Sequence, residues 1–159
     1  MEKNRQAFLD MIAKSEGTFG RGDNGYNVLF GGLLFSPYAD HPRKKTYEKK
    51  DEFIRNGKKD YTTAAGRYQL LARYFDVYKK QLNLPDFSPA SQDAIAIQQI
   101  TECKALADVD AGRIEQAIKK CRRIWASLPG AGYGQPEKKI EFLLAAYTKA
   151  GGALEVANV

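Results

Sequence analysis

A chain of 159 residues, 43% hydrophobic and 28% charged, has the make-up of an ordinary globular protein, and its length fits one domain spanning residues 1–159. The formal charge of +6 and the pI near 9.2 attract polyanions of every kind (nucleic acid, anionic lipid, cell wall) and select none of them. A single histidine, His41, and two separated cysteines, Cys103 and Cys121, are too few for a metal centre or a disulfide framework; the cysteines read as buried thiols, with a bridge between them left open.

No apolar run reaches the ~20 residues of a membrane span. The N-terminus has no long apolar block before a small-residue cleavage site, which predicts synthesis in the cytoplasm without a secretory signal. Residues 3–16 are predicted as an amphipathic helix, because Phe8, Met11, Ile12 and Ser15 recur at three- and four-residue spacing and Gly17 is a natural stop. Glu16 then stands at the helix C-terminus beside the apolar stripe. If partly buried there, next to the negative end of the helix, it would hold its proton toward neutral pH and suit general acid work. Position alone favours a solvated helix-end carboxylate.

From 18 to 62 glycines cluster. Val28-Leu29-Phe30 and Leu33-Leu34-Phe35 flank Gly31-Gly32 and predict a short hairpin or small antiparallel sheet. The stretch Arg43 to Lys59 is dense in Lys, Glu and Asp and reads as a solvated loop, although a lid over a polar substrate is compatible with it. Leu71, Tyr74, Phe75, Tyr78 and Leu82 predict a helix over 68–83, and Ser88-Pro89 opens another that carries Ile95 and Ile97 to Ile100. Ile114, Ala117, Ile118 and Cys121 mark a further helix; Ile140, Leu143, Leu144 and Tyr147 mark the last, closed by Gly151-Gly152. About five helices and a small sheet make an α+β fold.

A glycosidase of the usual kind needs two carboxylates. Asp23 and Asp40 are the candidate partners of Glu16, though each equally fits a turn or surface aspartate. Gly66-Arg67-Tyr68-Gln69 and Ser127 to Gln135 mix glycines, aromatics and uncharged hydrogen-bonding groups, the composition of a sugar groove, and alone each would pass for an ordinary loop. Gly130, Gly132 and Gly134 imitate a phosphate cradle but follow no predicted strand and lack a P-loop lysine. His41 has no marked serine or cysteine partner and reads as the fixing point of a loop turn. No zinc spacing or recognition motif supports a nucleic-acid partner.

Ala7-Phe8-Leu9-Asp10-Met11, Ser15-Glu16-Gly17-Thr18, Asn24-Gly25-Tyr26, Asp40 to Lys44, Ala65 to Leu71, Asp86 to Pro89, Ser91 to Ala94 and Ile124 to Gln135 occur in order along nearly the whole chain. With them the sequence resembles the lambda-type phage endolysins. The resemblance implies a lysozyme-like α+β fold, with a mostly helical lobe, a small antiparallel sheet lobe and a cleft between them. It implies a lytic transglycosylase that cuts the β-1,4 bond between N-acetylmuramic acid and N-acetylglucosamine in peptidoglycan, with Glu16 as catalytic acid and base. Gln69, Arg67 and Tyr68 in one cleft motif, and Ser127 and Tyr133 in another, are the implied substrate contacts. Because the substrate's own C6 hydroxyl replaces water, the missing second carboxylate is expected. A hydrolytic muramidase using Asp23 or Asp40 is the alternative. The resemblance further implies no metal or other cofactor, a monomer, and access to the periplasmic wall through a membrane-permeabilising holin. The 43–63 segment is longer and more charged than the resemblance leads one to expect.

Overall fold

The computed structural model describes residues 1–43 and 51–156. Its elements are α1 (Lys3–Glu16), β1 (Asp51–Arg55), β2 (Lys58–Thr62), α2 (Ala72–Gln81), α3 (Pro89–Glu102), α4 (Leu106–Ala111), α5 (Ile114–Cys121) and α6 (Ile140–Lys149). The fold is α+β, with six helices and one two-stranded sheet among the described residues. The backbone groups into two compact units, one of Met1–Ser15 with Ile97–Val159 and one of Glu16–Ala96.

In the first unit, α1 has the bounds its periodicity predicts, but its covered face is wider than the four-residue stripe, because Ala7, Leu9 and Ala13 are buried as well. A helix enclosed over so much of its girth is held chiefly by apolar burial, at roughly 1.5–3 kcal/mol for each large side chain. Arg5 grips Asp110 with two bonds, Nε to Oδ1 at 2.7 Å and Nη2 to Oδ2 at 2.8 Å, and ties α1 to the end of α4. Along α5, Ile114, Ala117, Ile118 and Cys121 are all buried, a complete i, i+3, i+4, i+7 stripe, and the helix packs on α4 and α6.

The short helix α4 escapes sequence reading because six residues offer too little periodicity. Its stop is legible afterwards. Gly112 takes φ 82°, and a Cβ there would come within 2.4 Å of the Ala153 carbonyl oxygen, so the C-terminal strand of chain passes over a position that only glycine can hold.

The second unit closes around Leu29, Ala65, Leu70, Phe75, Tyr78, Phe87 and Ile95, with Phe35, Leu82 and Leu84 packed at the margin. The expected hairpin at 28–35 is reduced to its minimum: Val28 bridges Leu34 antiparallel across Gly31-Gly32, with Leu29 N–H donating to the Leu33 carbonyl at 2.7 Å and Phe35 N–H to the Asn27 carbonyl at 2.9 Å, and Leu29 bridges Ala65, but no full strand forms there. The two-stranded sheet lies in the segment expected as a loop, β1 pairing antiparallel with β2 from Asp51 opposite Thr62 to Arg55 opposite Lys58. Asn56-Gly57, both at positive φ, form the two-residue turn. The high charge that concealed the hairpin is partly cross-strand pairing, with Lys59 Nζ 3.3 Å from Glu52 and Arg55 Nε 3.4 Å from Asp60. The rest of the expected loop, residues 44–50, lies outside the described residues.

Candidate active site

Glu16 is the last residue of α1 and is half-buried. Its neighbours in sequence are pinned. The hydroxyl of Ser15, itself buried, shares a hydrogen bond of 2.6 Å with that of Ser127. Two residues beyond Glu16, the buried Thr18 hydroxyl donates to the Arg67 carbonyl at 2.6 Å. Gly17, at φ 78°, turns the chain between Glu16 and the Thr18 anchor.

The second anchor rests on a buried polar knot. Arg67 is 0% exposed. Its backbone N–H donates to Gln92 Oε1 at 2.9 Å, its Nε to the Asn24 carbonyl at 2.9 Å and its Nη1 to the Tyr68 hydroxyl at 3.1 Å. The guanidinium carbon lies 5.3, 5.6 and 5.7 Å from the ring centres of Tyr26, Tyr68 and Phe19. Tyr68 donates onward to Asp93 Oδ1 at 2.6 Å, and Tyr26 donates to the same oxygen at 2.9 Å. Burial, followed by the Asp93 charge, pushes both phenols above their ordinary range, so they remain neutral donors. Gln92 completes the knot, its amide donating to the carbonyls of Tyr26 and Phe87 at 2.9 Å each. Gly66 makes this approach feasible: at φ 84° its missing Cβ leaves room for Gln92 Oε1, which a methyl group would meet at 2.4 Å.

Arg67 and Tyr68 therefore have structural bonds of their own. Tyr68 is only 5% exposed, and both side chains donate to protein groups and support the turn at Thr18 through the Arg67 carbonyl. Gln69, half-buried at φ 52°, bends its amide back to donate to the carbonyls of Gly66 at 2.9 Å and Val28 at 3.3 Å. Helix α2 accordingly begins at Ala72, after this turn, and not at residue 68.

Ser127, half-buried, is bonded to Ser15 as described, while Tyr133 is 42% exposed and donates its hydroxyl to the Arg123 carbonyl at 2.9 Å. The glycines between them hold an internal anion. Gly130 N–H and Gly132 N–H donate to the two oxygens of Glu137 at 2.8 and 3.0 Å, which holds that carboxyl below its usual range. The cradle geometry suggested by the glycine spacing is real, and its occupant belongs to the chain.

Asp23 accepts the Tyr38 hydroxyl at 2.7 Å, and Asp40 Oδ1 accepts the backbone N–H of His41 at 2.8 Å. His41 is buried between the rings of Phe75 and Phe87. Its Nε2 donates to the Leu70 carbonyl at 2.8 Å and its Nδ1 accepts the Arg43 N–H at 3.1 Å, an assignment that fixes the neutral tautomer and agrees with a pKa lowered by burial. Sequence reading gave no part to Thr18, Tyr26, Gln92, Asp93 or Glu137. The signal for Gln92 and Asp93 was a pair of polar residues next to the apolar face of α3; for Glu137 there was none.

A profile of the endolysin family matches residues 6–154, and the chain is 52% identical over its full length to the endolysin of Escherichia phage lambda, covering 98% of that protein. The chain belongs to the endolysin family. Over 94% of both chains it is 51% identical to the endolysin of Escherichia phage P2. The solved structure of bacteriophage lambda lysozyme complexed with a chitohexasaccharide superposes at a TM-score of 0.86, with 50% identity and 98% of each chain covered. A second structure of lambda lysozyme gives a TM-score of 0.83 over the same share. The chain is therefore a lysozyme-like, peptidoglycan-degrading enzyme of phage type.

Proposed function

We propose that this endolysin is a lytic transglycosylase in which Glu16 is the only catalytic carboxylate, acting on the β-1,4 bond between N-acetylmuramic acid and N-acetylglucosamine. In its acid form Glu16 gives its proton to the glycosidic oxygen, and the N-acetylglucosamine side leaves as an alcohol. The resulting carboxylate removes the proton of the muramic acid C6 hydroxyl, O6 bonds to C1, and a 1,6-anhydro ring closes with Glu16 again protonated. No water is consumed. The intramolecular nucleophile gains from proximity, an advantage that reaches several kcal/mol in well-oriented systems.

The observation carrying this reading is the contrast between carboxylates. Glu16 sits half-buried between two pinned neighbours, Ser15 and Thr18, while Asp23 and Asp40 serve as acceptors for Tyr38 and for the His41 backbone in their own loops. Gln69, Ser127 and Tyr133 are proposed as sugar contacts, the lambda lysozyme complex with a chitohexasaccharide making a glycan the natural ligand. Both compact units are proposed to work as one catalytic domain, in a monomer made without a secretory signal and given access to the wall by a holin it need not touch.

Mass spectrometry of murein digested by the enzyme tests the reaction. Anhydro-muropeptides, lighter by one water than hydrolytic products, are expected; reducing-end muramic acid as the main product would mean a muramidase that uses Asp23 or Asp40 with water.

A further inference from the structure

The pair Asn-Gly occurs twice in the chain, at Asn24-Gly25 and at Asn56-Gly57. An asparagine side-chain amide that precedes glycine is open to attack by the next backbone nitrogen, because no Cβ crowds the five-membered ring that forms. The fold treats the two pairs differently. Asn24-Gly25 is locked: Gly25 N–H donates to the Arg21 carbonyl at 2.6 Å, Asn24 Oδ1 accepts the Gly20 N–H at 3.1 Å, and the Asn24 carbonyl accepts Arg67 Nε at 2.9 Å. A Cβ on Gly25 would come within 2.7 Å of the Thr18 carbonyl oxygen. Asn56 and Gly57, by contrast, are both exposed at the turn of the β1–β2 ribbon, and a Cβ on Gly57 would meet nothing within 4 Å. Among the described residues no hydrogen bond engages the Asn56 side chain or the Gly57 N–H. We propose that Asn56 is a covalent modification site, deamidated by water through its own backbone, and that the isoaspartyl product loosens the β1–β2 hairpin.

The Gly57 nitrogen gives its proton to hydroxide and bonds to Asn56 Cγ. The side-chain nitrogen takes up a proton and leaves as ammonia, which closes a succinimide. Water then adds to either ring carbonyl. Opening at Cγ restores the ordinary backbone with aspartate at 56; opening at the backbone carbonyl leaves the chain running through Cβ and Cγ. In sum one water enters, one ammonia leaves, and nothing is oxidised or reduced. Ring closure requires the turn to leave its geometry of φ 51° at Asn56 and 77° at Gly57. At the end of a two-stranded ribbon, beyond the last pair of Arg55 with Lys58, that opening is local. At Asn24-Gly25 the same opening breaks the bonds to Arg21, Gly20 and Arg67. The isoaspartyl form adds a backbone carbon to a two-residue turn, whose length sets the register of the strands it joins.

The test is to hold the native protein in mildly alkaline buffer, digest samples with chymotrypsin and follow the peptides Ile54–Tyr61 and Gly20–Tyr26 by liquid chromatography and mass spectrometry. The same incubation in guanidinium chloride is the unfolded reference. In the native protein Ile54–Tyr61 should convert into two separable forms of equal mass, each with NH exchanged for O, at least about tenfold faster than Gly20–Tyr26, whose opening breaks more of the fold. In guanidinium chloride the two peptides should convert at similar rates. Asn56→Gln should leave the mass of its peptide unchanged. In the isoaspartyl fraction the amide hydrogens of β1 and β2 should exchange faster than in fresh protein. A native Ile54–Tyr61 that stays unconverted while the unfolded reference converts, equal native rates for the two pairs, or unaltered exchange in the isoaspartyl fraction would each overturn the proposal.

Discussion

Replacing Arg67 with methionine separates the two parts this residue can play, as a sugar contact or as the platform under Glu16. Methionine keeps most of the stem's apolar volume and removes the cation. Lost with it are charge-assisted bonds, those to the Asn24 carbonyl and the Tyr68 hydroxyl among them, each contributing about 1.5–3 kcal/mol. The Asn24 carbonyl is left without this donor. Against this, the desolvation cost of a guanidinium that is 0% exposed is recovered, several kcal/mol by itself. The balance is a net loss of about 3–4 kcal/mol, near the figure typical for breaking a buried charged network. In urea, with a slope of about 2 kcal/mol per molar, the unfolding midpoint followed by circular dichroism should fall by about 1.5–2 M at unchanged slope. Below the midpoint KM should stay within about twofold, because Thr18 is anchored on the Arg67 backbone and not on its side chain. A midpoint that hardly moves while KM rises steeply would refute the platform and return Arg67 to the substrate.

Glu16→Gln should fold with unchanged melting temperature and lose at least about a hundredfold in lysis of permeabilised Gram-negative cells, followed by turbidity, since an amide cannot exchange the proton. Asp23→Asn and Asp40→Asn should each retain turnover within about threefold in the same assay; a loss matching that of Glu16→Gln in either would favour the muramidase. Gly66→Ala should lose about 3 kcal/mol in chemical denaturation, from the strain of φ 84° plus displacement of Gln92 and its bonds. Burial lowers the pKa of His41 below its ordinary 6.5, so the unfolded chain binds the proton more readily than the native one. Stability from this source is present above about pH 6.5 and falls as the pH drops through it. Melting temperatures between pH 7 and pH 5.5 should show that decline, and His41→Gln, although less stable throughout, should flatten it.

Helices with a full apolar stripe were readable from sequence: α1, α3, α5 and α6 stand where spacing and capping residues put them, because burial of one face dominates their energetics. The β1–β2 hairpin was hidden by composition. Its Asn56-Gly57 turn was present in the sequence, but ten flanking residues rich in charge carry no apolar alternation, and pairing between strands is nonlocal. The same limit applies to the site. Glu16 could be singled out through its motif, yet the Thr18 anchor beside it depends on a knot assembled from Asn24, Arg67, Gln92 and Asp93, residues far apart in sequence. Arg67 and Tyr68 stand out in the sequence as polar groups among glycines, but composition records only which groups can hydrogen-bond, and their bonds to Asn24 and Asp93 depend on the fold.

The Glu137 carboxylate tethered in the Gly130–Gly132 turn has a further consequence for the medium in which the enzyme works. A ligand attached seven and five residues away along the chain competes at an effective concentration of millimolar order or above, so free phosphate, nucleotides or the phosphates of the cell envelope meet a nest already filled. The loop that carries Tyr133 should thus keep its shape as ionic composition changes around it. An enzyme with a formal charge of +6 has in this way one surface where anions are not recruited.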